Sequence, residues 1–282
     1  MDKRRIVARI KIMENMPVIQ TNGIDLYYEE CGAGDPLLLI MGITATGEVW
    51  EKHVTYWQKY FRCITADNRG VGRSGKPDGP YTTEQMADDY AGLLDAIKIK
   101  KVKVVGCSMG STVAQQLALR HPEKVSSLVL MCPWARCDNA ARAIFQHMID
   151  CKKNLSPSQF SLFVQLLIWS KPSWDDDKMF SEMEEARKQS STELRPQPLH
   201  GLEGQAAACM NHNVLSQLPQ IQQPVLVIGG IDDIFTPAWM AKEVAAAITN
   251  AKLHLYEGAG HAFHWEKIED FNPRIKNWLT AH

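Results

Sequence analysis

Short apolar runs alternate along the chain with stretches whose apolar residues recur every three or four positions. The runs are Leu37–Met41, Cys63–Ala66, Val102–Val105, Leu128–Met131, Val225–Ile228 and Leu253–Tyr256. Most are bounded by Gly, Pro or Asp, as strands buried on both faces should be. Helical periodicity covers Glu51–Tyr60, Thr83–Ile97, Ser111–His121, Trp239–Ile248 and Asp270–Thr280. Within the second of these, Ala87, Tyr90, Ala91, Leu94 and Ile97 form one apolar stripe. This alternation predicts an α/β fold, a mostly parallel sheet covered by helices on both faces. Pro17–Thr21 and Ile24–Tyr28 flank Asn22-Gly23, which predicts an antiparallel hairpin at one sheet edge.

The alternation breaks between about Pro133 and Pro219, where no convincing strand is found. Ala140–Lys152 reads as a helix with Ala141, Ile144, Phe145, Met148 and Ile149 on one side. Ser156-Pro157 reads as a helix start, opening the very apolar Phe160–Trp169. Ser173 is expected to cap the next helix, with Asp175, Asp176 and Asp177 near its positive end. The block predicts a helical cap inserted after the sixth core strand, where it would exclude water and shape a pocket. The expected division is an N-terminal extension at 1–16, core at 17–132, cap at 133–219 and core again at 220–282.

Composition narrows the class. The chain has 282 residues, 45% hydrophobic and 22% charged, which suits a globular protein with a large core. A net charge of −1 with no long basic block gives no footprint for nucleic acid. Arg9 and Lys11 interrupt the apolar residues after the basic start, which argues against a secretory signal. No apolar stretch approaches the roughly 18 residues of a membrane span. Seven scattered cysteines lack C-x-x-C spacing, so reduced thiols in a cytoplasm are expected rather than disulfides or zinc. No metal or cofactor site is expected, and oligomeric state is not legible.

The chemistry centres on Gly106-Cys107-Ser108-Met109-Gly110. A G-x-S-x-G segment between a buried strand and a helix forces its serine into a strained, exposed position. A serine hydroxyl needs a base to take its proton and a third group to orient that base. His261 lies in the glycine-rich loop Gly258–His261 after the last strand and is the expected base, with His264 as competitor. Gly230-Ile231-Asp232-Asp233 supplies the acid; Asp233 is favoured over Asp232, and Asp138 is an outside choice. The oxyanion donors should be the backbone N–H groups of Met109 and Ile43. Cys107 is expected to pack against the sheet.

Together these segments resemble the α/β-hydrolase superfamily across residues 17–282. The resemblance rests on Leu37–Gly42, Asp67-Asn68-Arg69-Gly70-Val71-Gly72-Arg73-Ser74, Gly106–Gly110, Gly230–Asp233 with Pro237, and Gly258–His261. The Asp67–Ser74 segment is similar to the capped branch, with its 3-oxoadipate enol-lactonases, esterases, perhydrolases and carbon–carbon bond hydrolases. Many relatives carry His where this chain has Met41, which bears on the rigidity of the oxyanion loop. Relatives with an Asp nucleophile, the epoxide hydrolases and haloalkane dehalogenases, are discounted by Ser108.

The resemblance implies a cofactor-independent serine hydrolase acting on a small ester or lactone. Alternatives are a carbon–carbon bond or carbamate hydrolase with the same residues, and a slow ligand receptor on the same scaffold. Trp134 is a pocket candidate, and Arg136 is a candidate clamp for a substrate carboxylate. Trp134-Ala135-Arg136 is also loosely similar to a segment in hydrolases of pyrimidine degradation.

Overall fold

A computed structural model describes residues 17–282; the extension expected at 1–16 lies outside the described residues. Among the described residues one eight-stranded sheet forms, in the order β1-β2-β4-β3-β5-β6-β7-β8. Its strands are β1 (Val18–Thr21), β2 (Ile24–Cys31), β3 (Asp35–Ile40), β4 (Phe61–Ala66), β5 (Val102–Cys107), β6 (Val125–Met131), β7 (Val225–Gly230) and β8 (Ala251–Tyr256). β2 pairs antiparallel with β1 and β4, and every other pairing is parallel. The edge hairpin turns at Asn22 and Gly23, both at positive φ, as a two-residue hairpin loop requires.

Residue alternation along the strands builds two cores. Leu38, Ile40, Ile64, Val104, Leu128, Leu130 and Val227 face one side. They meet α2 (Thr83–Ala96), α3 (Met109–Arg120) and α9 (Ala238–Ala247) through Leu94, Val113, Leu117 and Val244. Leu37, Leu39, Val105, Val129, Met131 and Ile228 face the other side. There they meet Trp57 of α1 (Glu51–Trp57) and Phe271, Ile275 and Leu279 of α11 (Ile268–Ala281). With both faces covered, both sets of alternate positions must be apolar, which is why the strands read as unbroken runs.

Between β6 and β7 lie five helices: α4 (Asn139–Asn154), α5 (Pro157–Ile168), α6 (Lys171–Asp175), α7 (Asp177–Ser190) and α8 (Leu199–Asn211). α5 begins as its sequence predicts, with Ser156 and Gln159 forming a reciprocal capping box ahead of the first turn. Ser173 behaves differently from expectation. It sits inside α6 and donates its hydroxyl to Glu266 Oε1 at 2.7 Å. The cap of α7 is Asp176, whose carboxylate accepts from the Met179 N–H. Ser173 and the three aspartates beyond Trp174 offer several caps, and Asp176 takes the role because Lys171-Pro172 starts a helix one turn earlier. No helix among the described residues is long and apolar enough to cross a membrane.

Candidate active site

Ser108 joins β5 directly to α3, with φ 55° and ψ −121°. A non-glycine residue pays about 1–3 kcal/mol for such a conformation, so its surroundings must hold it. The Ser108 N–H donates to the Met131 carbonyl at 2.9 Å. Its own carbonyl accepts from the Ser111 N–H at 2.8 Å and the Ser111 hydroxyl at 2.6 Å. The flanking glycines make the turn possible by close approach. A Cβ at 106 would stand 2.3 Å from the Gly110 carbonyl oxygen, and one at 110 would stand 2.1 Å from that of Ile40. The strand and helix therefore press together with no room for a side chain, and Ser108 is left at the apex.

His261 and Asp233 converge beside it. His261 Nδ1 is 2.7 Å from Asp233 Oδ2, and both residues are buried. The Asp233 carboxylate also accepts from the N–H groups of Phe235 and Thr236, each at 2.8 Å, and from the Thr236 hydroxyl at 2.9 Å. An ionised carboxylate accepts through both oxygens, so this shell suits the charged form. Burial pulls the His261 pKa down, but the charge and hydrogen bond of Asp233 outweigh it and leave the pKa raised. Nε2 is left free of Asp233 and lies 3.7 Å from Cys132 Sγ. No hydrogen bond joins it to Ser108 Oγ among the described residues, but both side chains line the same cavity. Catalytic hydrogen bonds of this kind are often long until substrate binds.

The competitors have other partners: His264 shares the cavity with Ser108 but is bonded away from any carboxylate. His264 Nδ1 lies 2.9 Å from His53 Nε2, and His53 Nδ1 lies 2.6 Å from Asn272 Oδ1. Burial, helped by the neighbouring His53 and His261, holds His264 well below its usual range, and His53 falls to about 4. With no carboxylate to orient it, His264 lacks the partner a triad base requires. Asp232 is exposed, and Asp138 caps α4 by accepting from the Ala141 N–H at 2.7 Å.

The loop after β3 runs against the serine: a Cβ at Gly42 would stand 3.2 Å from Ser108 Cβ. The Met109 N–H, at the first position of α3, has no intrahelical acceptor, and the Ile43 N–H has no backbone partner among the described residues, so both are candidate donors. Met41 does not leave this loop slack. Asn68 donates its amide to the Met41 carbonyl at 2.9 Å, and Gln205 Oε1 accepts the Thr44 N–H at 3.0 Å. Asn68 is itself fixed by the Tyr90 hydroxyl, and Asp67 Oδ1 accepts the Gly47 N–H at 2.8 Å. The Asp67–Ser74 segment thus braces the loop from behind.

The structure places Trp134 and Arg136 away from the cavity at Ser108. Trp134 is buried against Phe145 and His212, and neither residue lines the cavity at Ser108. Arg136 is exposed and pairs with Glu243 at 2.9 Å, so it is held outward as a surface ion pair. Sequence reasoning missed Thr236 and Glu266. Thr236 bridges Asp233, His261 and the Cys132 carbonyl; its signal was Asp233-Ile234-Phe235-Thr236, in which Asp233 Oδ1 accepts from the N–H groups two and three residues on. Glu266 accepts from the N–H groups of Gly260 and Ser170 and ties the histidine loop to the helices between β6 and β7. No local pattern marks that long-range role.

One further donor set is notable. Ligand atoms of Cys132, Asp233 and His261 lie within 4.8 Å of one another. Asp233 is already saturated by its four donors, so a metal ion there would have to break the shell that orients His261.

A family model described as the alpha/beta hydrolase fold matches residues 35–268. The chain belongs to this family. It is 34% identical over 264 residues to BpoC of Mycobacterium tuberculosis, provisionally named a non-heme bromoperoxidase, covering 92% of this chain and 98% of that one. It is 30% identical over 261 residues to RutD of Azorhizobium caulinodans, provisionally named a carbamate hydrolase, covering 92% and 97%. A solved thermophilic esterase from Thermogutta terrifontis is similar with a TM-score of 0.83 at 25% identity, covering 95% and 98%. These relatives differ in the activity their names give, so kinship fixes the hydrolase family and leaves the bond cleaved to the site.

Proposed function

We propose that the protein is a serine hydrolase that cleaves a small carboxylic ester or lactone without a cofactor. The observation that carries this reading is the Asp233–His261 pair, set beside a strained serine in one cavity. Ser108 Oγ attacks the carbonyl carbon while His261 Nε2 accepts its proton. Asp233 keeps the other ring proton on Nδ1 and stabilises the imidazolium as it forms. The N–H groups of Met109 and Ile43 receive the oxyanion. Collapse of the tetrahedral intermediate expels the alcohol, which takes the proton back from His261. Water, deprotonated by the same Nε2, then attacks the acyl-enzyme, and the second intermediate collapses with the proton passing from His261 to Ser108 Oγ as the acid leaves. The helices between β6 and β7 act as a cap that shields these steps from bulk water, and Glu266 anchors that cap to the histidine loop.

The test is a panel of aryl esters, lactones, carbamates and vinylogous diketones, run with the parent and with Ser108→Ala. Ester or lactone turnover that disappears in Ser108→Ala is the expected result. Turnover confined to carbamates or diketones would overturn the ester assignment, and activity retained by Ser108→Ala would overturn the mechanism.

A further inference from the structure

Ser108 opens onto a small cavity, and that cavity adjoins a large one. The inner cavity, about 120 Å³, is lined by Ser108 and His261 together with Met41, Ile43, Met148 and Phe235. The outer cavity, about 670 Å³, lies between α5, α7 and the core. Thr44, Val49, Val164, Ile168 and Trp265 line both. Pockets that take drug-sized ligands measure roughly 300–1,000 Å³. The inner cavity falls well short of that and the outer one lies within it. A substrate therefore has room for a small group at the serine, and for anything larger only outward, past Val164 and Ile168.

The charges sort the substrate further. The inner lining contains no Lys, Arg, Asp or Glu. The cation expected nearby, Arg136, is on the surface and paired with Glu243. An anion drawn to Ser108 would thus be desolvated with no permanent counter-charge beside it. The outer cavity has an apolar floor of Phe160, Ile168, Trp169, Met183 and Trp265. Its charged residues are four carboxylates, Glu48, Glu51, Glu182 and Glu193, against two ammonium groups, Lys52 and Lys152. Lys52 is taken by Glu182 at 3.1 Å, and Lys152 lies over the Phe160 ring at 5.0 Å. The excess of carboxylates makes the outer cavity unfavourable to a negative tail.

We propose that the two cavities form one channel for an uncharged ester or lactone, with its carbonyl and a small group at Ser108 and an apolar chain in the outer cavity. This assignment rests on the hydrolase reading of Ser108. It sets the protein apart from a hydrolase for small anions such as a carbamate. Val164 and Ile168 form the neck, and their size decides which chains pass.

Two measurements test it. The first is kcat/KM for two ester series, one lengthened in the acyl chain and one in the alcohol, from two carbons to eight. Burying a methylene is worth roughly three- to fourfold, so one series should rise at least about tenfold. A terminal carboxylate on the longest member should erase that rise. Val164→Trp, or Met183→Trp if the first variant fails to fold, should cut the ratio of eight-carbon to two-carbon kcat/KM by about tenfold or more. Flat profiles in both series, or preference for the carboxylate-terminated ester, would overturn the proposal.

The second measurement is binding to Ser108→Ala, followed by tryptophan fluorescence from Trp169 and Trp265. Uncharged 2-decanone should saturate the signal, decanoate should bind at least about tenfold more weakly, and Val164→Trp should weaken the ketone. Equal binding of both ligands would count against the channel. Ketone binding by a protein that hydrolyses no ester would leave the channel standing and sink the hydrolase reading. Ester hydrolysis with no dependence on chain would do the reverse.

Discussion

Asp233 Oδ2 lies 2.7 Å from His261 Nδ1, and the same carboxylate is held by Phe235, by the Thr236 N–H and by the Thr236 hydroxyl. Asp233 is thereby locked in place, and in the proposed mechanism it fixes the tautomer that leaves Nε2 free as a base. Replacing it with asparagine keeps an oxygen for the turn but permits the wrong tautomer. Asp233→Asn should retain a near-parental thermal midpoint and lose about 10⁴-fold in kcat. Steady-state kinetics alongside circular dichroism checks this, and a loss of under tenfold would show that Asp233 does not orient the base.

The pH profile follows from the same pair. Burial lowers the His261 pKa, and the Asp233 charge and hydrogen bond more than reverse that, leaving it above 6.5. The base is active only when neutral. Ester kcat/KM should therefore rise with pH through an inflection above 6.5 and fall away on the acid side. Asp233→Asn should move that inflection downward. The pair also stabilises the fold, fully below the unfolded-state histidine value of about 6.5, with the contribution lost as pH rises through the folded value.

Much of this arrangement was legible in the chain. Ser108, Asp233 and His261 each follow a strand, so the parallel order brings their loops to the same edge of the sheet. The elbow glycines announced themselves because the close approach at Gly106 and Gly110 admits no other residue. Pocket walls were another matter. Trp134 follows β6 after only Cys132 and Pro133, yet it turns into the core against Phe145, because a large ring gains more from packing there than from lining a cavity. Two partners of Glu266, Ser173 and Ser170, lie 93 and 96 residues away, a separation that periodicity does not encode. The same limit hid the neck at Val164 and Ile168.

The elbow itself is open to a stability test. At position 110 an added methyl group would meet backbone, the Ile40 carbonyl oxygen at 2.1 Å, so no side-chain rotation relieves it. Gly110→Ala should cost about 3 kcal/mol or more in urea unfolding, at the upper end of overpacking penalties. A cost below about 0.5 kcal/mol would mean that β3 and α3 are not packed as described.

Behind the oxyanion loop, Arg69 donates through Nε to Asp89 Oδ2 at 2.6 Å, with both side chains buried. Asn22 also donates to Asp89, at 2.9 Å. Burial pushes the Asp89 pKa up, and the Arg69 guanidinium opposes the rise. Arg69→Met removes the counter-charge and leaves the carboxylate buried, which should cost about 3–5 kcal/mol. The double variant Arg69→Met with Asp89→Leu should recover part of that loss, and urea denaturation of the three proteins measures the difference.

The proposed mechanism makes Ser108 the nucleophile and His261 its base. A serine-directed aryl phosphonate tests it most directly, with the adduct located by peptide mass spectrometry. A single stable adduct should appear on Ser108 in the parent, and labelling should slow by at least about 10³-fold in His261→Ala. An adduct on any other residue, or labelling of Ser108 that proceeds unchanged without His261, would contradict the account.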